Sequence, residues 1–302
     1  MLVPDSGAQG RALFTGRWAT LTPMSYRSAE RVETQEGRQY HLGTAPGEVA
    51  DLVLLLGDPE RAQKVAARFS NLRVSRQNRD YHVYTGTHRE RELSVICVGM
   101  GAGCMEIAVV ELCQIVREPI LIRAGSSGAL QADIQIGDLV VTQAAVRMET
   151  ASLAYVEPGF PAFAHAEAQI ALVRAAAERG VRYHVGVTAT AAGFYGAQGR
   201  TVPGFSPRDA ELIERLTSQG VKNLEMETSC LLTLAALQGL RAGAVCAAFA
   251  SRSQNVFIDE QAKAKAEEDV IEVGLGALHY LATMRQECTG LPHWHPGLSV
   301  SG

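Results

Sequence analysis

Short apolar runs recur along the chain, each stopped by glycine or proline and followed by a stretch of helical composition. Leu52-Val53-Leu54-Leu55-Leu56 ends at Gly57-Asp58-Pro59, and Glu60 to Phe69 then has the composition of a helix. Leu93 to Val98 stops at Gly99-Met100-Gly101-Ala102-Gly103, and Glu106 to Val116 carries apolar residues at helical spacing. Ile120-Leu121-Ile122 leads into Arg123-Ala124-Gly125-Ser126-Ser127-Gly128, which has the composition of a turn. Leu139-Val140-Val141, Val185 to Thr188 and Ala244-Val245-Cys246 repeat the strand theme, and helices are predicted at Glu167–Arg179, Pro207–Gln219, Thr228–Leu237 and Gln261–Thr283. Buried strands alternating with helices indicate an α/β layer protein. No repeat or linker divides the centre. The expected organisation is therefore an N-terminal extension (1–38), a single α/β domain (39–286) and a C-terminal tail (287–302).

Composition narrows the class. The chain has 302 residues, 47% of them hydrophobic and 20% charged, with 28 lysines and arginines against 32 acids. These values describe a globular protein with room for a large core. The slight acidic excess argues against nucleic acid or a membrane surface as partner, and no apolar run approaches the roughly 18–20 residues that span a bilayer. Six cysteines lie in apolar segments without a CxxC pair, and no HExxH occurs among the histidines. Reduced thiols in a cytoplasmic protein without a metal fit that pattern. A transit peptide is the alternative for the start of the chain, where acids are scarce before Glu30 and Arg11, Arg17 and Arg27 are present.

In open α/β sheets, ligands bind beyond the carboxyl ends of strands, where glycine-rich turns let the backbone approach. Three such places here carry arginine: Gly57 to Arg61, Asn78-Arg79-Asp80, and Arg123 to Gly128. None is a P-loop. Gly99-Met100-Gly101-Ala102-Gly103 is a poor dinucleotide fingerprint, because the third glycine would fall on Cys104. Arg123 directly follows a buried apolar run, where an unpaired cation is costly. If Arg61, Arg79 and Arg123 converge, two guanidiniums some 6 Å apart repel by about 3 kcal/mol at an effective dielectric near 20. A phosphate would relieve that repulsion and accept bidentate hydrogen bonds, with Ser126 and glycine amides completing the cradle. The competing reading pairs each arginine with a nearby acid such as Asp58 or Asp80.

Seven motifs then stand in one order: Tyr40-His41-Leu42-Gly43; Gly57-Asp58-Pro59-Glu60-Arg61; Asn78-Arg79-Asp80-Tyr81; Ile122 to Ala129; Gly193-Phe194-Tyr195-Gly196-Ala197-Gln198-Gly199-Arg200; Asn223-Leu224-Glu225-Met226-Glu227-Thr228; and Ser251-Arg252-Ser253-Gln254. With these, most of the chain resembles the nucleoside phosphorylases of the uridine phosphorylase type. The resemblance implies the nucleoside phosphorylase fold, a central mixed, twisted and partly barrel-like sheet flanked by helices. It implies reversible phosphorolysis of uridine to uracil and ribose 1-phosphate, with phosphate as co-substrate and no cofactor.

Residue by residue, the resemblance assigns phosphate to Gly57, Arg61, Arg123 and Ser126, with Arg79 supplied by a neighbouring subunit. It assigns the base to Phe194, Gln198 and Arg200, lined by Ser127 and Gly128 and closed over by Arg252. The ribose falls to Glu225, Met226 and Glu227, with His41 from the partner chain at the 5′-hydroxyl. Arg123, Gln198, Arg200 and Glu227 carry the chemistry. A homo-oligomer, at least a dimer with shared sites, follows from the roles of Arg79 and His41.

Gln198 offers an acceptor and two donors and Arg200 only donors, which complements the O2, N3–H and O4 edge of uracil. Ser251 is followed by Arg252, where purine-type relatives carry a carboxylate. Cys104 stands near where bacterial relatives place a serine that can help hold a monovalent cation, so no such ion is expected here. Two other readings stay open: a purine or broad-specificity phosphorylase, and a non-catalytic nucleoside-binding or storage member of the fold.

Overall fold

The computed structural model describes residues 28–291 and 293–297. The expectations for residues 1–27 and 298–302, the possible transit peptide included, lie outside the described residues. The described residues from 33 onward belong to one compact unit. Residues 28–32 fall to a separate one, in which the Ser28 hydroxyl accepts from the backbone N–H of Glu30 and Arg31.

Among the described residues, eleven strands and six α-helices follow in chain order. The first half contains β1 (Leu52–Leu56), α1 (Pro59–Ala66), β2 (Asn71–Asn78), β3 (Tyr81–His88), β4 (Arg91–Cys97), α2 (Ala102–Ile115), β5 (Ile120–Ala129) and β6 (Leu139–Met148). The second half contains β7 (Ala162–Phe163), α3 (Ala166–Arg179), β8 (Tyr183–Ala191), α4 (Leu212–Ser218), β9 (Asn223–Glu225), α5 (Thr228–Leu237), β10 (Ala242–Ser251), β11 (Val256–Phe257) and α6 (Glu260–Glu287). One mixed sheet runs β11-β10-β6-β8-β9-β5-β1-β4-β3-β2, with β7 on β6. An extra β10–β5 pairing closes β5, β10, β6, β8 and β9 into a ring. The expected α/β fold with a partly barrel-like mixed sheet is what the chain adopts.

The apolar runs are continuous because both strand faces are covered. Leu52, Leu54 and Leu56 of β1 join the core under α1, α3 and α6, whereas Val53 and Leu55 join the core under α2 and α5. By the same alternation Ile120 and Ile122 of β5 face the first core and Leu121 the second. Arg123 follows Leu121 onto the second side.

Three sequence expectations need correction. The stretch from Arg123 to Gly128 is not a turn but the continuation of β5, paired in parallel with β10 from Arg123 to Gly128. Small residues suit it to a crowded central position: a Cβ on Gly125 would sit 2.7 Å from the Arg123 guanidinium carbon. The segment around Asn78-Arg79-Asp80 is the tip of a hairpin between β2 and β3, with Arg79 at φ 54°. Of β2, only Val74 is buried, so this polar strand lacks an apolar pattern. The helix predicted from Pro207 begins only at Leu212, because Leu212 and Leu216 are its buried anchors and nothing before them packs inward.

His88 at the end of β3 lies against α6, its Nδ1 3.0 Å from His279 Nε2. Burial, then His88, Arg89 and Arg91, press the His279 pKa down to about 4, and burial also lowers His88. The folded state therefore holds His279 neutral where the unfolded chain protonates it near pH 6.5, so this pair withdraws stability as pH falls from about 6.5 to about 4. In His279→Leu the drop in urea midpoint between pH 7 and pH 4.5 should be clearly smaller than in the wild type. An identical drop would show that the pair is not a source of acid sensitivity.

Candidate functional site

A cavity of about 270 Å³ opens beyond the carboxyl end of β1 and along the later residues of β5. On one side it is lined by Gly57, Arg61, Arg123 and Ser126. Asp58, at the N-cap of α1, accepts from the N–H of Glu60 and Arg61 and so fixes the turn that presents Arg61. Arg61 is buried at 7% exposure, its Nε and Nη1 have no hydrogen-bond partner, and Asp58 stands 3.9 Å from Nε. Buried guanidinium donors are rarely left unmade, and here they line a cavity.

Arg123 is differently held. Its Nε donates to Glu225 Oε2 at 3.1 Å, and Nη2 donates to Glu227 Oε2 and pairs with Glu225 Oε2 at 3.0 Å. Nη1 makes no hydrogen bond among the described residues. The pairing of arginine with acid that the sequence left open thus holds for Arg123, with Glu225 and Glu227 rather than Asp58 or Asp80. Burial opposes the Arg123 charge, but the two carboxylates outweigh it and raise its pKa. One cation cannot neutralise two buried carboxylates. Burial and then the repulsion from Glu225 accordingly push Glu227 up, against the pull of Arg123.

Glu225 ends β9 and Glu227 caps α5, so a strand-to-helix corner delivers both acids to one guanidinium. Glu227 Oε1 also accepts from the N–H of Gly101, whose φ of +95° is open to glycine and strained for other residues. Met226 completes this wall.

The opposite end carries Phe194, Gln198 and Arg200, with Ser127 and Gly128 between. Arg200 Nη1 donates to Gln198 Oε1 at 2.6 Å, and its guanidinium lies 3.9 Å over the Phe194 ring. Because a guanidinium only donates, that contact fixes the amide orientation, leaving Gln198 Nε2 as a donor and a lone pair on Oε1 as an acceptor. Burial and then nearby Arg252 lower the Arg200 pKa to about 10. Ser127 is committed internally, accepting from Asn223 at 2.9 Å. Arg252 does not line the cavity but braces it from behind, donating to the Gln198 carbonyl at 2.8 Å.

His41 and Arg79 are not among the residues lining their own chain's cavity. His41 Nδ1 lies 2.6 Å from Glu111 Oε1, and Asn78 Nδ2 ties down the Tyr40 and His41 carbonyls. Arg79 stacks 5.0 Å over the Tyr40 ring and donates to its hydroxyl.

Sequence reasoning missed Met100, Phe249 and Phe257, together with Lys263 and Glu267 of α6, all on the cavity wall. The exposed Met100 and Phe257 carry no motif, and the α6 pair looks like any solvated helix face. Among the described residues no group of three or more His, Cys, Asp or Glu could hold a metal ion, and no helix is long and apolar enough to cross a membrane.

Buried cations aimed into a cavity, carboxylates at its waist and an amide–guanidinium edge at its far end suit an anionic co-substrate and a polar planar ring. A family model described as the phosphorylase superfamily matches residues 51–280, and the chain belongs to that family. It is 43% identical to the uridine phosphorylase of Thermococcus kodakarensis over 90% of this chain and 97% of that one. It is 34% identical to the Escherichia coli uridine phosphorylase over 80% and 97% of the respective chains. Among solved structures it is similar to uridine phosphorylase from Vibrio fischeri ES114 complexed with 6-hydroxy-1-naphthoic acid, with a TM-score of 0.71 and 25% identity, covering 82% of this chain and 98% of that one.

The Gly125 contact gives a direct test of the anion end. Gly125→Ala should displace the Arg123 guanidinium and weaken orthophosphate binding, measured by calorimetry, at least tenfold, about 1.4 kcal/mol. Unchanged affinity would show that the position of Arg123 is not what binds the anion.

Proposed function

We propose that the chain catalyses reversible phosphorolysis of uridine. The observation that carries this reading is the union, in one cavity, of Arg61 with unpartnered buried donors and Arg123 at one end, and the Gln198–Arg200 edge at the other. Phosphate is held by Arg61, Nη1 of Arg123, Ser126 and the Gly57 backbone, under the anomeric carbon. Glu227 receives the ribose hydroxyls and Met226 packs on the sugar.

As the bond between C1′ and N1 lengthens, its electron pair passes to uracil and the sugar gains oxocarbenium character. Phosphate oxygen closes the new bond to C1′ from the opposite face, its negative charge stabilising the developing cation. Gln198 and Arg200 take up the charge spreading onto O2 and O4. The proton carried by monohydrogen phosphate ends on uracil N1. No cofactor takes part.

Hydrogen bonds on the ring edge set the specificity. Gln198 accepts from N3–H while its Nε2 and Arg200 donate to carbonyls, and cytosine would present an amino donor to a donor. The base end offers no carboxylate to protonate a purine ring. Six unpaired cysteines fit a reducing compartment, and we place the protein in the cytoplasm.

Side-by-side assays with uridine, thymidine and inosine should show phosphate-dependent base release from the pyrimidine nucleosides and little from inosine. Arg61→Met should lower kcat/KM with phosphate by roughly 10–150-fold, the equivalent of about 1.5–3 kcal/mol for a charged hydrogen bond. Uridine left whole with phosphate present, or inosine cleaved faster than uridine, would contradict the reading.

Because His41 and Arg79 are not among the residues lining their own cavity, we assign them to the cavity of a second copy, making the active unit at least a dimer. Arg79→Ala and Gln198→Ala proteins, each inactive, should regain partial activity when mixed under conditions that exchange subunits. Demonstrated exchange without recovery would rule out a shared site.

A further inference from the structure

We propose that Glu225, together with Thr190 of β8, is a positioning element that aims Arg123 and Glu227 and makes no contact with the ribose, contrary to the ribose role its motif implies. The inference rests on the proposed phosphorolysis but concerns how two neighbouring acids divide the work.

The division follows from counting donors. Glu225 Oε2 accepts from Arg123 Nε at 3.1 Å and from the backbone N–H of Glu227 at 2.8 Å and Thr228 at 2.9 Å, and Arg123 Nη2 forms an ion pair with it at 3.0 Å. Its Oε1 accepts from the Thr190 hydroxyl at 2.5 Å. Oε2 is thus oversubscribed, with three hydrogen-bond donors and an ion pair on its two lone pairs, and Oε1 is engaged by Thr190 inside the protein. The side chain is 1% exposed. Glu227 differs: among the described residues it takes the Gly101 N–H on Oε1 and Arg123 Nη2 on Oε2, one hydrogen bond to each oxygen by these contacts, so acceptor sites remain for sugar hydroxyls.

Thr190 determines which way this cluster is oriented. Its oxygen accepts from the Ser229 N–H at 2.8 Å, so its single proton is directed to Glu225. Ser229 Oγ donates in turn to Glu149 at 3.0 Å, a buried carboxylate that also takes the backbone N–H of Ser152 at 3.0 Å. The chain of bonds thus ties the segment after β6 through β8 and the start of α5 to the guanidinium on β5. With Nε and Nη2 anchored, Nη1 is the edge of Arg123 left for phosphate.

Glu225→Gln keeps the shape and removes one counter-charge, Thr190→Val removes the directing hydroxyl, and Thr190→Ser restores it. Thr190→Val should raise the KM for phosphate at least fivefold with the KM for uridine within twofold, and Thr190→Ser should return both to near wild-type values. The ratio of kcat/KM for uridine over 2′-deoxyuridine should stay within twofold of wild type in Glu225→Gln and fall at least fivefold in Glu227→Gln. A collapse of that ratio in Glu225→Gln would make Glu225 a sugar ligand and overturn the proposal, as would an unchanged phosphate KM in Thr190→Val. Phosphate affinity measured by calorimetry in Thr190→Val and Glu225→Gln reads the positioning role separately. If the wild type cleaves no uridine yet these variants bind phosphate at least fivefold more weakly, the phosphorolysis reading fails and the positioning role stands. If Thr190→Val does not fold, the Glu225→Gln ratio and phosphate affinity decide.

Discussion

The site depends on a single buried guanidinium shared by two carboxylates. Arg123 sits at 3% exposure on a central strand, and its charge is tolerable there only because Glu225 and Glu227 meet it. Those acids owe their approach to the corner where β9 passes into α5, and Gly125 leaves the volume the guanidinium fills. Removing either acid would leave a buried, incompletely paired charge. Substitutions here should therefore act on binding geometry and on stability together.

The three groups carry one positive and two negative charges, which is unfavourable for an anion site in isolation. Arg61 lines the same cavity and supplies the missing positive charge through donors that no protein group satisfies. On the proposed reading Arg123 organises the middle of the cavity, where the sugar would sit, while Arg61, with Asp58 3.9 Å from its Nε, offers Nε and Nη1 donors that no described group takes. Phosphate bound there as proposed would satisfy those donors. At the other end, Arg200 stacked on Phe194 holds the Gln198 amide in one orientation, so the edge proposed to read the pyrimidine is fixed in advance.

Much of this was legible in the sequence. β1 and α5 follow from continuous apolar runs buried on all sides, and α3 from one buried face at helical spacing. β2 did not, because an edge strand with one buried residue leaves no alternation to detect. The β5 extension looked like a turn because glycine and serine serve both a bend and a crowded strand, and only the Arg123 side chain distinguishes the two. Gly57, Arg61, Arg123, Gln198, Arg200 and Glu227 could be named from ordered motifs, whereas Met100, Phe257 and Lys263 reach the same cavity through folding alone. Glu225 shows the limit of motif reasoning: its type and spacing match a sugar ligand, yet both its oxygens are already engaged by the protein.

A crystal structure of the protein with orthophosphate and a non-cleavable uridine analogue would test the central claim most directly. The account predicts phosphate oxygens within hydrogen-bond distance of Arg61 and of Arg123 Nη1, the ribose hydroxyls on Glu227, and the pyrimidine edge on Gln198 and Arg200. Phosphate bound away from both arginines, or the base stacked elsewhere with Gln198 and Arg200 unengaged, would contradict it.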